Sequence, residues 1–200
     1  MSIDLNREMD KVKAKVFIGS SSAFLGSIMC SLNFSWDETI PTACTNGLNL
    51  LFNPEFFIGL VPDSRKTVLV HELWHVARMH TIRRGDRDPK NWNYACDIRI
   101  NNDLENEGFT FEGMEWCWKD QSVDENGILC EEDIYDLLMK GKIKKPKTGS
   151  WGDLSGKGDL TETDEINNTT KQQIINVVAQ AVQQATLAGQ AGTIPGGIKT

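Results

Sequence analysis

Apolar and polar positions repeat along the chain in two different periods, and the changes of period divide it into elements. Residues 3 to 17 set Ile3, Val12, Val16 and Phe17 among charges, the pattern of a short amphipathic helix. The Ser/Gly-punctuated apolar run that continues to Leu32 predicts a second, buried helix. From Asn33 to Asn53 the texture changes to Phe34, Trp36 and Ile40, then Leu48, Leu50 and Phe52 in alternation, which is the period of strands. Asn46-Gly47 falls between these runs and predicts a hairpin turn, because both residues tolerate the positive φ of a tight connection. Pro62 and Asp63 then punctuate the chain, Asp63 or Ser64 offers a helix cap, and a helix-compatible stretch runs uninterrupted from Arg65 to Arg84 before Gly85 stops it.

After a polar turn containing Pro89, Trp92 to Leu104 predicts another helix. Glu131 to Met139 predicts a short one with Ile134, Leu137 and Leu138 on one face. Gly141 to Thr163 is rich in Lys, Gly, Asp and Ser without periodic apolar residues, and Thr170 to Ala188 returns to a helix with the stripe Ile174, Val178, Ala181, Val182 and Ala185. The expected organisation is a domain over 1–140, a linker or long surface loop over 141–169, and a C-terminal helix with a Pro-Gly tail over 170–200 that packs on the same domain.

Composition narrows the class. The chain has 200 residues, 40% of them apolar and 24% charged, and its six Trp and eight Phe demand a core. A formal charge of −7 excludes the basic footprint that nucleic acid selects. Cys30, Cys44, Cys96, Cys117 and Cys130 are odd in number and form no Cys-x-x-Cys pair, which argues against a disulfide framework or a cysteine-built zinc module. Asp4, Glu8 and Asp10 precede the apolar stretch from Val16 to Leu32, where a signal peptide wants positive charge. The expectation is a cytoplasmic protein with no membrane span and no nucleic-acid partner.

All the histidines fall between positions 71 and 80, in His71-Glu72-Leu73-Trp74-His75 and His80. His71 and His75 lie one helical turn apart on one face, so two imidazoles reach a single metal ion, while Glu72 beside them is free to bind water. Zinc with three protein ligands keeps a position for water and lowers its pKa toward about 7. Glu72 is then the expected general base. A core helix with merely hydrogen-bonded histidines is the alternative, and the clustering of the motif weighs against it.

For the third ligand the chain offers His80, Asp86, Asp88 and Asp97. His80 is about 140° around an unbroken helix from His75, with no glycine between them to turn the chain. Asp86 returns to the metal only if Gly85 reverses the chain sharply. Asp97 is favoured, because the turn after Gly85 lets the helix from Trp92 pack back across the first, with Asn101 one turn further on to orient its carboxylate. Tyr94, Arg78 and His80 are candidate donors to a developing oxyanion.

The Gly152–Gly158 stretch has the wrong spacing for a phosphate loop, and the lysines from Lys140 to Lys147 suit a solvated linker. Trp116-Cys117-Trp118 suits core packing.

Pro41-Thr42-Ala43, Thr45-Asn46-Gly47, Asn53-Pro54-Glu55-Phe56, His71-Glu72-x-x-His75 with Arg78 and His80, Arg84-Gly85-Asp86-Arg87-Asp88, Trp92-Asn93, Ala95-Cys96-Asp97 with Asn101, and Gly192-Thr193-Ile194-Pro195-Gly196-Gly197 together carry a resemblance. On these motifs the chain resembles the zincin-like metallopeptidase domain at the N-terminus of predicted metal-dependent peptidases that often carry a von Willebrand factor A-like domain. The resemblance implies zinc at His71, His75 and Asp97, Glu72 as the catalytic acid/base, a protein or peptide substrate, and an A-like domain as partner in cis or in trans. It further implies that a strand near the metal-binding helix accepts an extended substrate; the Thr42 to Phe52 hairpin offers such an edge, and an ordinary hairpin covering the helix is the alternative. The expected fold is α+β, mainly helical and zincin-like, with a small β-hairpin or sheet beside the metal-binding helix. The expected function is zinc-dependent hydrolysis of peptide bonds, and its competitor is a non-catalytic metal-stabilised protein-binding module.

Overall fold

A helix carries the longest buried segment among the described residues, and the fold is arranged around it. The computed structural model describes residues 3–125, 127–143 and 166–194. The Gly152–Gly158 stretch, the lysine run beyond Ile143 and Pro195-Gly196-Gly197 lie outside the described residues.

The central helix α4 (Pro62–Ala77) buries every residue from Thr67 to Ala77, so it needs neighbours on all sides. α1 (Leu5–Val16) and α2 (Ser22–Ser31) supply two of them through Met9, Val12, Val16, Phe24 and Ile28. α6 (Pro89–Asn106) crosses a third face, and α8 (Asn168–Leu187) packs on α2 and touches α4. Burying that much aliphatic and aromatic surface at roughly 25 cal/mol per Å² is the main force holding the helices around α4.

β1 (Asn33–Trp36), β2 (Ala43–Thr45) and β3 (Asn49–Phe52) form a sheet in the order β1-β3-β2. β2 and β3 make the expected hairpin, with Ala43 opposite Phe52 and Thr45 opposite Leu50, while β1 runs parallel to β3. In the turn, Asn46 Oδ1 accepts from the backbone N–H groups of Leu48 (3.0 Å) and Asn49 (2.8 Å). Gly47 is required twice over. Its φ is +94°, and a Cβ there would stand 2.6 Å from Cδ1 of Ile174, which seats α8 on the hairpin turn. β2 lies against α4, and Phe34, Trp36, Phe52 and Phe57 interlock edge to face beneath the sheet. The architecture is α+β, mainly helical, with a small sheet beside α4.

Several boundaries depart from the sequence reading. α4 begins at Pro62, and Asp63 sits in its first turn instead of capping it. Ser64 Oγ donates to the carbonyl of Glu112 at 2.8 Å. α4 stops at Ala77 rather than Arg84: Met79 takes the left-handed conformation, φ 52°, and a short helix α5 (His80–Arg83) restarts after it. A left-handed non-glycine residue costs about 1–2 kcal/mol, and tertiary contacts outweigh it here. Fully buried Trp92 anchors the new direction by donating from Nε1 to the His80 carbonyl at 2.9 Å.

α6 starts before Trp92, at Pro89, because Asp88 Oδ1 accepts from the Asn91 N–H at 2.9 Å and caps it. Asn53 caps a helix the pattern did not predict, α3 (Pro54–Gly59), in the same way. α7 (Glu131–Met139) packs on α6 through Ile134 and Leu138 against Tyr94, Ala95 and Ile98. Trp116 meets Phe56 at 6.0 Å and Trp118 meets Tyr94 at 5.7 Å between ring centroids, so the pair of tryptophans packs as expected. Among the described residues, no helix is long and apolar enough to cross a membrane.

Candidate metal centre

His71 and His75 project from α4 toward α6, which presents Asp97 to them, and all of these side chains are buried. The Nε2 atoms of the two histidines are 2.9 Å apart. Asp97 Oδ1 lies 3.7 Å from Nε2 of His71 and 3.4 Å from Nε2 of His75. A tetrahedral ion with metal–nitrogen bonds of about 2.0–2.1 Å separates its ligand atoms by roughly 3.3 Å. The edges of this triangle bracket that value.

Hydrogen bonds behind the triangle orient its corners. Asn101 Nδ2 donates to the Trp118 carbonyl at 3.0 Å, which turns Asn101 Oδ1 toward Nδ1 of His71 at 2.9 Å. His71 therefore donates from Nδ1 and keeps a lone pair on Nε2. Asn93 Nδ2 donates to Asp97 Oδ2 at 3.0 Å, leaving Oδ1 buried and without a hydrogen bond among the described residues. A buried carboxylate oxygen left so is costly unless a cation completes it. Asn101 thus serves His71, and Asn93 one turn earlier serves Asp97, a reversal of the expected partner. Asn93, Asp97 and Asn101 are spaced by four along α6, so one face carries all of them and the crossing angle decides which meets which.

The electrostatics suit a cation. Burial pushes His75 down to about 3, against the pull of Asp97, so its imidazole is neutral at pH 7. Burial would raise Asp97, but its contacts with His71 and His75 outweigh that and hold it below the usual carboxylate range. The neutral imidazole of His75, the His71 ring held by Asn101 and one carboxylate form a donor set for a divalent ion.

Other candidates fall elsewhere. His80 meets the opposite edge of His75, Nδ1 to Nδ1 at 2.9 Å, and its Nε2 reaches Glu131 Oε1 at 3.1 Å. Cys96 completes a second convergence with His75 and His80, and burial pushes its thiol well up. Asp88 caps α6, and Asp86 is exposed in the turn before it. Arg78 is engaged by Glu131 at 2.9 Å and by Asp103. Glu72 is fully buried beside His71. Asn93 and Glu131 were missed by sequence reasoning. Asn93 could have been found from its spacing of four to Asp97, whereas Glu131 left no local signal.

Neither the curated proteins nor the solved structures contain a match to this chain. A family model does match, over residues 6–199, a span that includes α4, α6 and the whole convergence of His71, His75 and Asp97. Its description agrees with a donor set suited to a divalent metal, and by that match the chain belongs to the family described as "Putative metallopeptidase domain".

Proposed function

We propose that the chain is a zinc-dependent peptidase in which His71, His75 and Asp97 hold the ion and Glu72 moves the proton. The observation that carries this reading is the meeting of two imidazole nitrogens from the His-Glu-x-x-His helix with one carboxylate oxygen from α6, at mutual distances of 2.9, 3.7 and 3.4 Å. Family membership supports metal-dependent peptide hydrolysis, and the nitrogen-rich donor set favours zinc over magnesium or calcium.

When bound, zinc polarises the scissile carbonyl and lowers the pKa of water toward about 7. Glu72 accepts a proton from the attacking water and passes it to the leaving amine. Asp97 supplies the one negative charge of the ligand set. Asn93 and Asn101 hold the carboxylate and the His71 ring in place, so that little reorganisation is needed during the reaction. An extended peptide pairing with the edge strand of the hairpin is the substrate class this reading expects.

The test is elemental mass spectrometry combined with cleavage of a broad peptide library, on wild type and Glu72→Gln. One zinc per chain in both proteins, with cleavage lowered on the order of 10²–10⁴-fold in Glu72→Gln, is the expected result. Undiminished cleavage by Glu72→Gln removes the proton-transfer role. A zinc-loaded wild type that cleaves nothing, and melts when the metal is chelated, points to a metal-stabilised binding module.

A further inference from the structure

His75 has two ring nitrogens, and only one is used by the reading above. The other opens onto a line of buried polar groups on the far side of the ring. His75 Nδ1 meets His80 Nδ1 at 2.9 Å, and His80 Nε2 meets Oε1 of Glu131 at 3.1 Å, 51 residues further along the chain. Glu131 is the first residue of α7, is 4% exposed, and also accepts from Arg78 at 2.9 Å and Arg83 at 2.7 Å. Resting on the zinc-site reading, we propose that His80 and Glu131 are positioning residues for the metal centre, which hold His75 in the tautomer whose Nε2 is open to the ion.

The argument follows the protons. An ionised carboxylate accepts hydrogen bonds and donates none, and two guanidinium groups keep Glu131 in that state. His80 must then donate from Nε2. A neutral imidazole carries one N–H, so His80 Nδ1 is an acceptor, and the proton shared across the 2.9 Å contact belongs to His75 Nδ1. The lone pair of His75 falls on Nε2, facing Nε2 of His71 and Oδ1 of Asp97.

The opposite tautomer has a definite consequence. With the proton on His75 Nε2, the 2.9 Å contact to His71 Nε2 becomes an ordinary hydrogen bond, and the ligand set closes on itself without a metal. The Glu131–His80 pair disfavours that closed state. Its reach depends on the left-handed turn at Met79, φ 52°, which brings His80 back beside His75 where an unbroken helix would carry it away.

Two measurements test this. The first compares zinc affinity, by competition with a chromophoric chelator, in wild type, His80→Leu and His80→Asn. Asparagine keeps an acceptor where Nδ1 stands, and leucine keeps bulk alone. Affinity about 10–100-fold weaker in His80→Leu and largely recovered in His80→Asn is expected. Equal weakening in both, or none in His80→Leu, overturns the proposal. The second records long-range nitrogen–proton correlations of the histidine rings in metal-free wild type, which needs no variant to fold and no zinc to bind. Protonation of His75 on Nδ1 is expected, and protonation on Nε2 overturns it. Wild type that binds no zinc removes the peptidase reading but leaves the tautomer measurement decisive for the relay.

Discussion

His75 stands between two buried polar clusters that differ in how completely the protein satisfies them. On its Nδ1 side, Glu131 receives His80, Arg78 and Arg83, and Arg78 also pairs with Asp103, so every charge there has a protein partner of opposite sign. On its Nε2 side, Asp97 Oδ1 faces two imidazole nitrogens and makes no hydrogen bond among the described residues. Both clusters are buried, so an unmet polar atom costs about the same in either. The closed cluster contributes rigidity, and the open one leaves a buried carboxylate oxygen for a cation to complete. A buried anionic cluster next to a balanced one marks the candidate site more sharply than burial or charge alone.

The comparison can be broken at either cluster. The largest effect belongs to the open side: Asp97→Ala removes the only anionic donor, and metal content measured by elemental mass spectrometry should fall from one equivalent to none while the fold persists. Zinc retained in that variant would move the third ligand elsewhere. Next comes the closed side. Glu131→Ala leaves Arg78 and Arg83 without their shared buried carboxylate and should destabilise the protein by about 3–5 kcal/mol in a denaturant melt. A loss under 1 kcal/mol would mean the cluster relaxes into solvent.

Asn93→Ala sharpens the distinction, because it strips Asp97 Oδ2 of its donor without touching a ligand. Zinc affinity should weaken about 10–100-fold and the metal-free protein should lose about 1–3 kcal/mol, as chelator competition and a denaturant melt together would report.

Acid titration of metal-free protein comes next. His75 has a folded-state pKa of about 3 against 6.5 when unfolded, so between those values the unfolded chain binds more protons and stability falls as the pH falls. Glu131 acts with the same sign at lower pH: its folded pKa is held below the ordinary value of 4.5, so its contribution is present above that value and is lost on further acidification. The slope from His75 is at most about 1.4 kcal/mol per pH unit, measured by urea unfolding at stepped pH. Bound zinc should leave the upper part of this dependence unchanged, because folded His75 carries no proton there with or without the ion. The smallest effect is expected at an exposed pair, Lys140 with Asp136 on α7, where Lys140→Ala should change stability by less than about 0.5 kcal/mol.

Much of the fold is legible where one segment decides its own conformation. Glu131 to Met139 forms the predicted helix residue for residue, because its cap and apolar face are local. The Asn46-Gly47 turn forms for the same reason. Legibility fails where a distant residue overrules the local pattern. Arg65 to Arg84 is helix-compatible throughout, yet the chain breaks at Met79 once Trp92 claims the His80 carbonyl. β1 joins the hairpin in parallel, a pairing that follows from how the chain crosses from one edge of the sheet to the other.

The candidate site divides along the same line. His71, Glu72 and His75 were readable because 3.6 residues per turn places positions four apart on one face, whatever surrounds the helix. Asp97 was readable as far as its helix could be expected to pack back. Which asparagine serves which ligand depends on the crossing of α4 and α6, and the Glu131–His80 line on the docking of α7. Spacing and short-range backbone geometry were enough for the helix of the His-Glu-x-x-His motif, the hairpin turn and the family. The orientation of each candidate ligand and the closed cluster behind His75 came with the packing, because hydrogen bonds across 30 and 51 residues exist only after the helices have met.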